Sequence, residues 1–149
     1  MLFGWANDVT QASMQAWQPV KANNALALVL GGAAIVLLQE PASGRARVAQ
    51  ACALTMVVVG VLTLAEHGTG RDLGIDEIVA RTPKGVASVG PFPAARMSPL
   101  AALNVAVTGV ALGLLTWPAG LALAHLLLVM SAAISVLSML GFLYGASFV

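Results

Sequence analysis

From Met97 to Val149 the chain carries no Asp, Glu, Lys or Arg. About a quarter of the residues of a soluble domain are charged, so a soluble fold rarely tolerates so long an uncharged stretch. The whole chain follows suit, with 9% charged and 59% hydrophobic residues and a mean hydropathy of +0.90. It reads as an integral membrane protein whose first partner is the lipid bilayer. A net charge of +1 without any basic run leaves no footprint for nucleic acid. The single Cys52 excludes an intramolecular disulfide and a zinc framework. The start, MLFGWANDVTQ, has neither a basic beginning nor an apolar core and does not read as a signal peptide.

Four apolar stretches stand out: 22–38, 48–65, 100–116 and 121–142. Each is near the roughly 17–25 residues needed to cross a hydrocarbon core. They are expected to be transmembrane helices, preceded by an interfacial segment at 1–21. The turn TWPAG (Thr116–Gly120) joins the last two, and QEPASGRAR (Gln39–Arg47) joins the first two. The expected fold is all-α: a polytopic four-helix bundle built from two parallel copies of a helical hairpin. Sliding the chain by 77 residues supports the duplication, because Ala25, Leu26, Gly32, Ala34, Leu37 and Leu38 then meet Ala102, Leu103, Gly109, Ala111, Leu114 and Leu115. The same offset carries His67–Gly68 onto Tyr144–Gly145.

Small residues recur at packing intervals. Gly109 and Gly113 form one GxxxG pair, Gly141 and Gly145 another. In lipid such pairs let helices approach closely, within one chain or between the chains of a homodimer. Ser131 and Ser135 add small hydrogen-bonding contacts. Asn104 and Thr108 share a face of the third helix, where they either bind helices together or line a pocket.

Four of the six acidic residues, Glu66, Asp72, Asp76 and Glu77, fall within LTLAEHGTGRDLGIDEIV (Leu62–Val79), beside His67 and Arg71. Asp72 and Asp76 are four apart and share a face if the segment is helical. With Glu66 or Glu77 they suit a hard divalent cation through oxygen ligands, although the spacing fits no EF-hand. Structural ion pairing with Arg71, Arg81, Lys84 and Arg96 is the other reading. The polar loop 67–97 that holds them is long for a compact membrane domain, and such loops are often functional. Within it, Leu73–Val79 reads as a short amphipathic element. The remaining histidine, His125, is expected near the opposite membrane face from His67, hydrogen-bonded within the bundle. No GxSxG, P-loop, HExxH or CxxC is present, so neither an enzyme nor a resident cofactor is expected.

The same acidic stretch, followed by RMSPLAALNVAVTGVALGLL (Arg96–Leu115), resembles the multi-helix membrane sensor region that precedes PAS domains in bacterial histidine kinases and diguanylate cyclases. VKANNALALVLGGAAIVLL (Val20–Leu38) looks like an earlier copy of the second motif, and LGFLYGASF (Leu140–Phe148) like the family's usual fourth-helix end. The likeness covers nearly the whole chain, and DLGID and RMSP are its most specific parts. Ala101 stands where the family usually has Thr, and His67 where Tyr is usual. The resemblance implies a multi-pass protein of the bacterial inner membrane that senses a signal without a catalytic output domain of its own. Glu66, His67, Asp72, Asp76, Glu77 and Arg96 are then the candidate ligand-binding or signal-binding residues. Family members carry a further helix before Gly4–Trp5 and another after the YGAS segment, which implies a fragment or a stand-alone four-helix relative.

Sidedness divides the two lines of reasoning. Arg45 and Arg47 lie in the first turn, against Lys21, Arg71, Arg81, Lys84 and Arg96 on the other side. The positive-inside rule on that count puts loop 67–97 in the cytoplasm. The family arrangement puts it outside, and is the one adopted here. Two other functions remain open. One is an accessory subunit of a larger membrane complex, anchored by Trp5, Trp17 and Trp117. The other is a small transporter or cofactor-binding bundle, for which the helices offer only Asn104, Thr108, His125 and a few serines.

Overall fold

The computed structural model describes residues 22–39, 43–71, 74 and 97–143. Among these residues the structure is all-α, with four helices, one short 3-10 turn and no strand. Helix α1 is Ala22–Leu38, α2 Ser43–Thr69, α3 Pro99–Leu114 and α4 Leu121–Leu143. Helices α2 and α4 are long and apolar enough to cross a membrane, while α1 and α3 are shorter apolar helices.

The helix ends follow from local chemistry. Ser98 caps α3: its Oγ accepts the backbone N–H of Ala101 at 3.2 Å, and Pro99 takes the first helical position, where a missing N–H costs nothing. The serine and proline of RMSP thus write the start of α3. At the far end of α2, Gly70 turns left-handed at φ 65° and its N–H reaches Glu66 O at 3.0 Å. That is the usual glycine exit from a helix. Helix α2 is longer at both ends than the apolar run 48–65. Arg45 and Arg47 lie in its first turns, and Glu66 and His67 lie in its last. Nothing after Gly44 breaks the helix, and arginine is a good helix former, so polarity alone does not end it. Between α3 and α4, Pro118–Gly120 forms the 3-10 turn. Gly120 is needed there, since a Cβ would sit 2.9 Å from Leu114 O.

Helices α2 and α3 are the central pair and run antiparallel. At one end Gln50 Nε2 donates to Thr116 Oγ1 at 2.8 Å; at the other His67 Nε2 meets Met97 O at 2.9 Å. Gln50 and His67 are 17 residues apart, or about 26 Å along α2 at 1.5 Å per residue. Along this face of α2, Ala49, Ala53, Met56, Gly60 and Thr63 are all buried. Their steps alternate four and three, the heptad spacing of a continuous helix–helix seam. The seam is tight because two glycines open it. A Cβ on Gly60 would lie 2.7 Å from Ala102 O, and one on Gly109 2.8 Å from Ala53 O. Each backbone therefore touches the other directly.

Helix α1 packs chiefly along α2, and α4 chiefly along α3. The principal core joins Ala34, Ala49, Ala53, Met56 and Leu112, with Leu30, Leu37, Cys52, Val105 and Leu115 packed against it. The outer surface is apolar. Leu28 is 73% exposed on α1, and Leu137 is 67% exposed on α4.

Candidate functional site

The candidate residues that lie in the structure gather at the end of α2. Glu66 is fully buried there, one turn beyond Thr63, which is equally buried. Met97, just before α3, is the largest fully buried side chain, and its carbonyl accepts from His67. A carbonyl only accepts, so His67 Nε2 carries the proton in this contact. Helix α1 begins at the same end, with Asn23 at 2% exposure. One end of the helix assembly thus holds a buried carboxylate, a buried hydroxyl and a buried amide, with an imidazole clasping α2 to the segment that enters α3. Buried polar groups in an apolar surround are costly to place and are often functional.

Of the other candidates, Asp72, Asp76, Glu77 and Arg96 lie outside the described residues. So do the amphipathic element Leu73–Val79, apart from Gly74, and the acidic residues other than Glu66 of the expected divalent-cation site. Among the described residues no group of three His, Cys, Asp or Glu side chains is placed to hold a metal. The glycine candidates divide. Gly109 sits at the closest approach of α3 to α2, whereas a Cβ on Gly113 would meet Ala53 Cβ at an ordinary 3.9 Å. Gly141 is half-buried in α4, and Gly145 lies outside the described residues. Sequence reasoning missed Gly60, Thr63 and Asn23. Gly60 had a signal in its place on the 49–53–56–60–63–67 heptad. Asn23 and Thr63 had none beyond being polar in apolar helices.

Asn104 and Thr108 bind α3 to α4. Ser131 Oγ donates to Asn104 Oδ1 at 2.7 Å, and Asn104 Nδ2 donates to Ser135 Oγ at 2.9 Å. Ser135 Oγ in turn donates to Ser131 O at 3.0 Å. Ser131 has one hydroxyl proton, already given to Asn104, so in the 2.8 Å contact Thr108 Oγ1 is the donor. The four side chains form one directed chain that uses each hydroxyl proton once. This is the helix-binding alternative for Asn104 and Thr108. His125 lies near the start of α4, as expected, but differs in its hydrogen bond. It is exposed and its Nδ1 donates to Leu121 O at 2.7 Å, a bond within α4 rather than across the assembly. The cause is its place in the first turns of α4, where Leu121 O lies one turn back and no neighbouring helix among the described residues covers the side chain. His67 and His125 lie at opposite ends of the assembly, because α3 runs from one end to the other between them.

No protein-family model, curated protein or solved structure matches this chain.

Proposed function

We propose that the chain is a multi-pass membrane protein that works as an input module, receiving a signal at its Glu66–His67 end and passing it to a partner. The observation that carries this reading is the buried Glu66 beside the His67–Met97 clasp. That clasp ties together the two helix ends that the segment 67–97 connects, so any force on that segment acts on the relative position of α2 and α3. Apart from Met56, the α2–α3 seam between the clasps is made of small side chains and two glycines, a surface with few projections to resist sliding.

The membrane part of the proposal rests on what faces outward. Only 28% of the most apolar window of α2 and 17% of that of α4 is buried, whereas the core helix of a soluble protein is mostly buried. Soluble monomers rarely expose contiguous apolar patches beyond a few hundred Å². In this reading all four helices cross the bacterial inner membrane as one bundle. The shorter α1 and α3 shelter against α2, and the two hairpins descend from one duplicated hairpin. The likeness to sensor regions of PAS-containing kinases and cyclases supports the input role, and no catalytic step is assigned to the chain. Against a transport path stands the Asn104–Ser131–Thr108–Ser135 chain, whose polar groups are occupied by one another.

The test is sidedness. Thr82→Cys in a Cys52→Ala background is treated in intact cells with a membrane-impermeant thiol reagent. Labelling is expected, with the loop outside. Protection until the cells are lysed would put the loop in the cytoplasm, overturn external input and favour an accessory subunit of a membrane complex.

A further inference from the structure

A carboxamide offers two N–H donors and two acceptor lone pairs on its oxygen. Asn104 uses half of that capacity. Its Nδ2 gives one N–H to Ser135 Oγ at 2.9 Å, and its Oδ1 accepts from Ser131 Oγ at 2.7 Å. One N–H and one lone pair are left over, with no partner among the described residues.

In water the remainder would be hydrated and would mean nothing. Here its surroundings are different. Asn104 is half-buried, and its bond to Ser135 lies at the exposed rim of the α3–α4 contact. Exposed apolar side chains flank Ser135 along α4, with Val129 and Met130 before it and Leu137, Met139 and Leu140 after it. In the membrane reading proposed above, this rim meets hydrocarbon, where no water can take up a leftover N–H or lone pair. Membrane helices satisfy such groups by hydrogen-bonding to another helix.

The leftover chemistry also specifies the partner. An N–H and a lone pair on one planar group complement the same two on a second carboxamide, so both bonds close together. A second copy of the chain, inserted in the same direction, supplies that group at the same depth. A two-fold axis along the membrane normal then sets Asn104 opposite its own counterpart. The glycine pair of α3 is a poorer candidate for this contact. Gly109 is already used within the chain, where a Cβ would sit 2.8 Å from Ala53 O. We infer that two copies of the chain associate along the α3–α4 rim, with their Asn104 carboxamides paired by two hydrogen bonds. The inference rests on the membrane reading and gives the input module a partner of its own kind.

The experiment uses the full chain in native membranes, in a Cys52→Ala background, with a bifunctional thiol reagent. Ala132 is exposed three residues before Ser135 and borders the same rim. Met130, 52% exposed, lies two residues from Ala132, about 200° around the helix and at nearly the same depth. Ala132→Cys is expected to give a cross-linked dimer and Met130→Cys only a trace. Adding Asn104→Ala to Ala132→Cys should weaken association roughly tenfold, the scale of interhelical hydrogen bonds in lipid. Asn104→Gln, which keeps the carboxamide, should retain part of the cross-linking. Ser131→Ala breaks the 2.7 Å bond within the chain but leaves the carboxamide in place, so cross-linking should persist. No dimer from Ala132→Cys, or equal dimer from both positions, overturns the inference. So does a Ser131→Ala loss as large as that of Asn104→Ala, which would make α3–α4 packing the cause. Alkaline extraction of the same membranes separates the two failures. A chain that is extracted overturns the membrane reading as well, whereas a retained chain without cross-links overturns the pairing alone.

Discussion

His67 Nε2 lies 2.9 Å from the carbonyl oxygen of Met97, thirty residues further along the chain. This contact joins the exit of α2 to the entrance of α3. Met97 is fully buried, so its carbonyl has no easy substitute partner. His67→Ala should lower stability by about 1–3 kcal/mol, the cost of leaving such a group unmet. His67→Gln, which can still donate, should recover part of that. Thermal unfolding in detergent checks both. Equal losses in the two variants would show that the imidazole contributes by packing rather than by its hydrogen bond.

The two close-approach glycines make a sharper claim. Gly60→Ala and Gly109→Ala each drive a methyl group to within 3 Å of the facing backbone, so α2 and α3 must separate. Each should cost about 1–3 kcal/mol, as overpacking does elsewhere. Gly32→Ala is the control, because its Cβ meets nothing within 4 Å. It should be neutral or stabilising through helix propensity. A Gly32 variant as damaged as the other two would mean that the seam is not where the helices touch.

The α3–α4 hydrogen-bond chain predicts non-additivity. Asn104→Ala and Ser131→Ala remove the two ends of one 2.7 Å bond. In a double-mutant cycle their coupling should be about 0.5–1.5 kcal/mol, the range found for hydrogen bonds between membrane helices. Strict additivity would sink the chain as a cooperative unit.

A charge on the outer face distinguishes lipid from water. Val129 is 66% exposed near the middle of α4. In water Val129→Lys would change stability by no more than about 0.5 kcal/mol. Against lipid tails it should cost about 3 kcal/mol of insertion free energy. Membrane-integrated yield, measured by alkaline extraction, should therefore fall sharply. An unchanged yield would argue against α4 as a lipid-facing helix.

Part of the candidate site could be read without coordinates. Glu66 and His67 stood out because charge and imidazole are rare in so apolar a chain, and Gly109 because of its GxxxG spacing. Thr63 and Asn23 did not, since a hydroxyl or amide in an apolar helix normally bonds locally or to whichever helix is nearest. Gly60 was overlooked for a related reason. A search for glycine pairs within one helix misses a glycine whose partners, Ala102 and Ala106, stand on another.

Among the described residues, the sequence by itself determined the four helices and six of their eight ends to within two residues. Apolar length, Ser98–Pro99, Gly70 and the Pro118–Gly120 turn act within a few residues, and local signals of that kind survive in the linear chain. Even there α2 outran its apolar run, because arginine and glutamate extend a helix as readily as leucine. Only the tertiary structure decided which small residues carry the packing. The 77-residue offset pairs Gly32 with Gly109, yet the first faces outward and the second lies against Ala53. In helices built almost wholly of Ala, Leu, Val and Gly every face looks suitable. Which face is used depends on where the neighbouring backbones lie, and that is a property of the assembled helices rather than of any one of them.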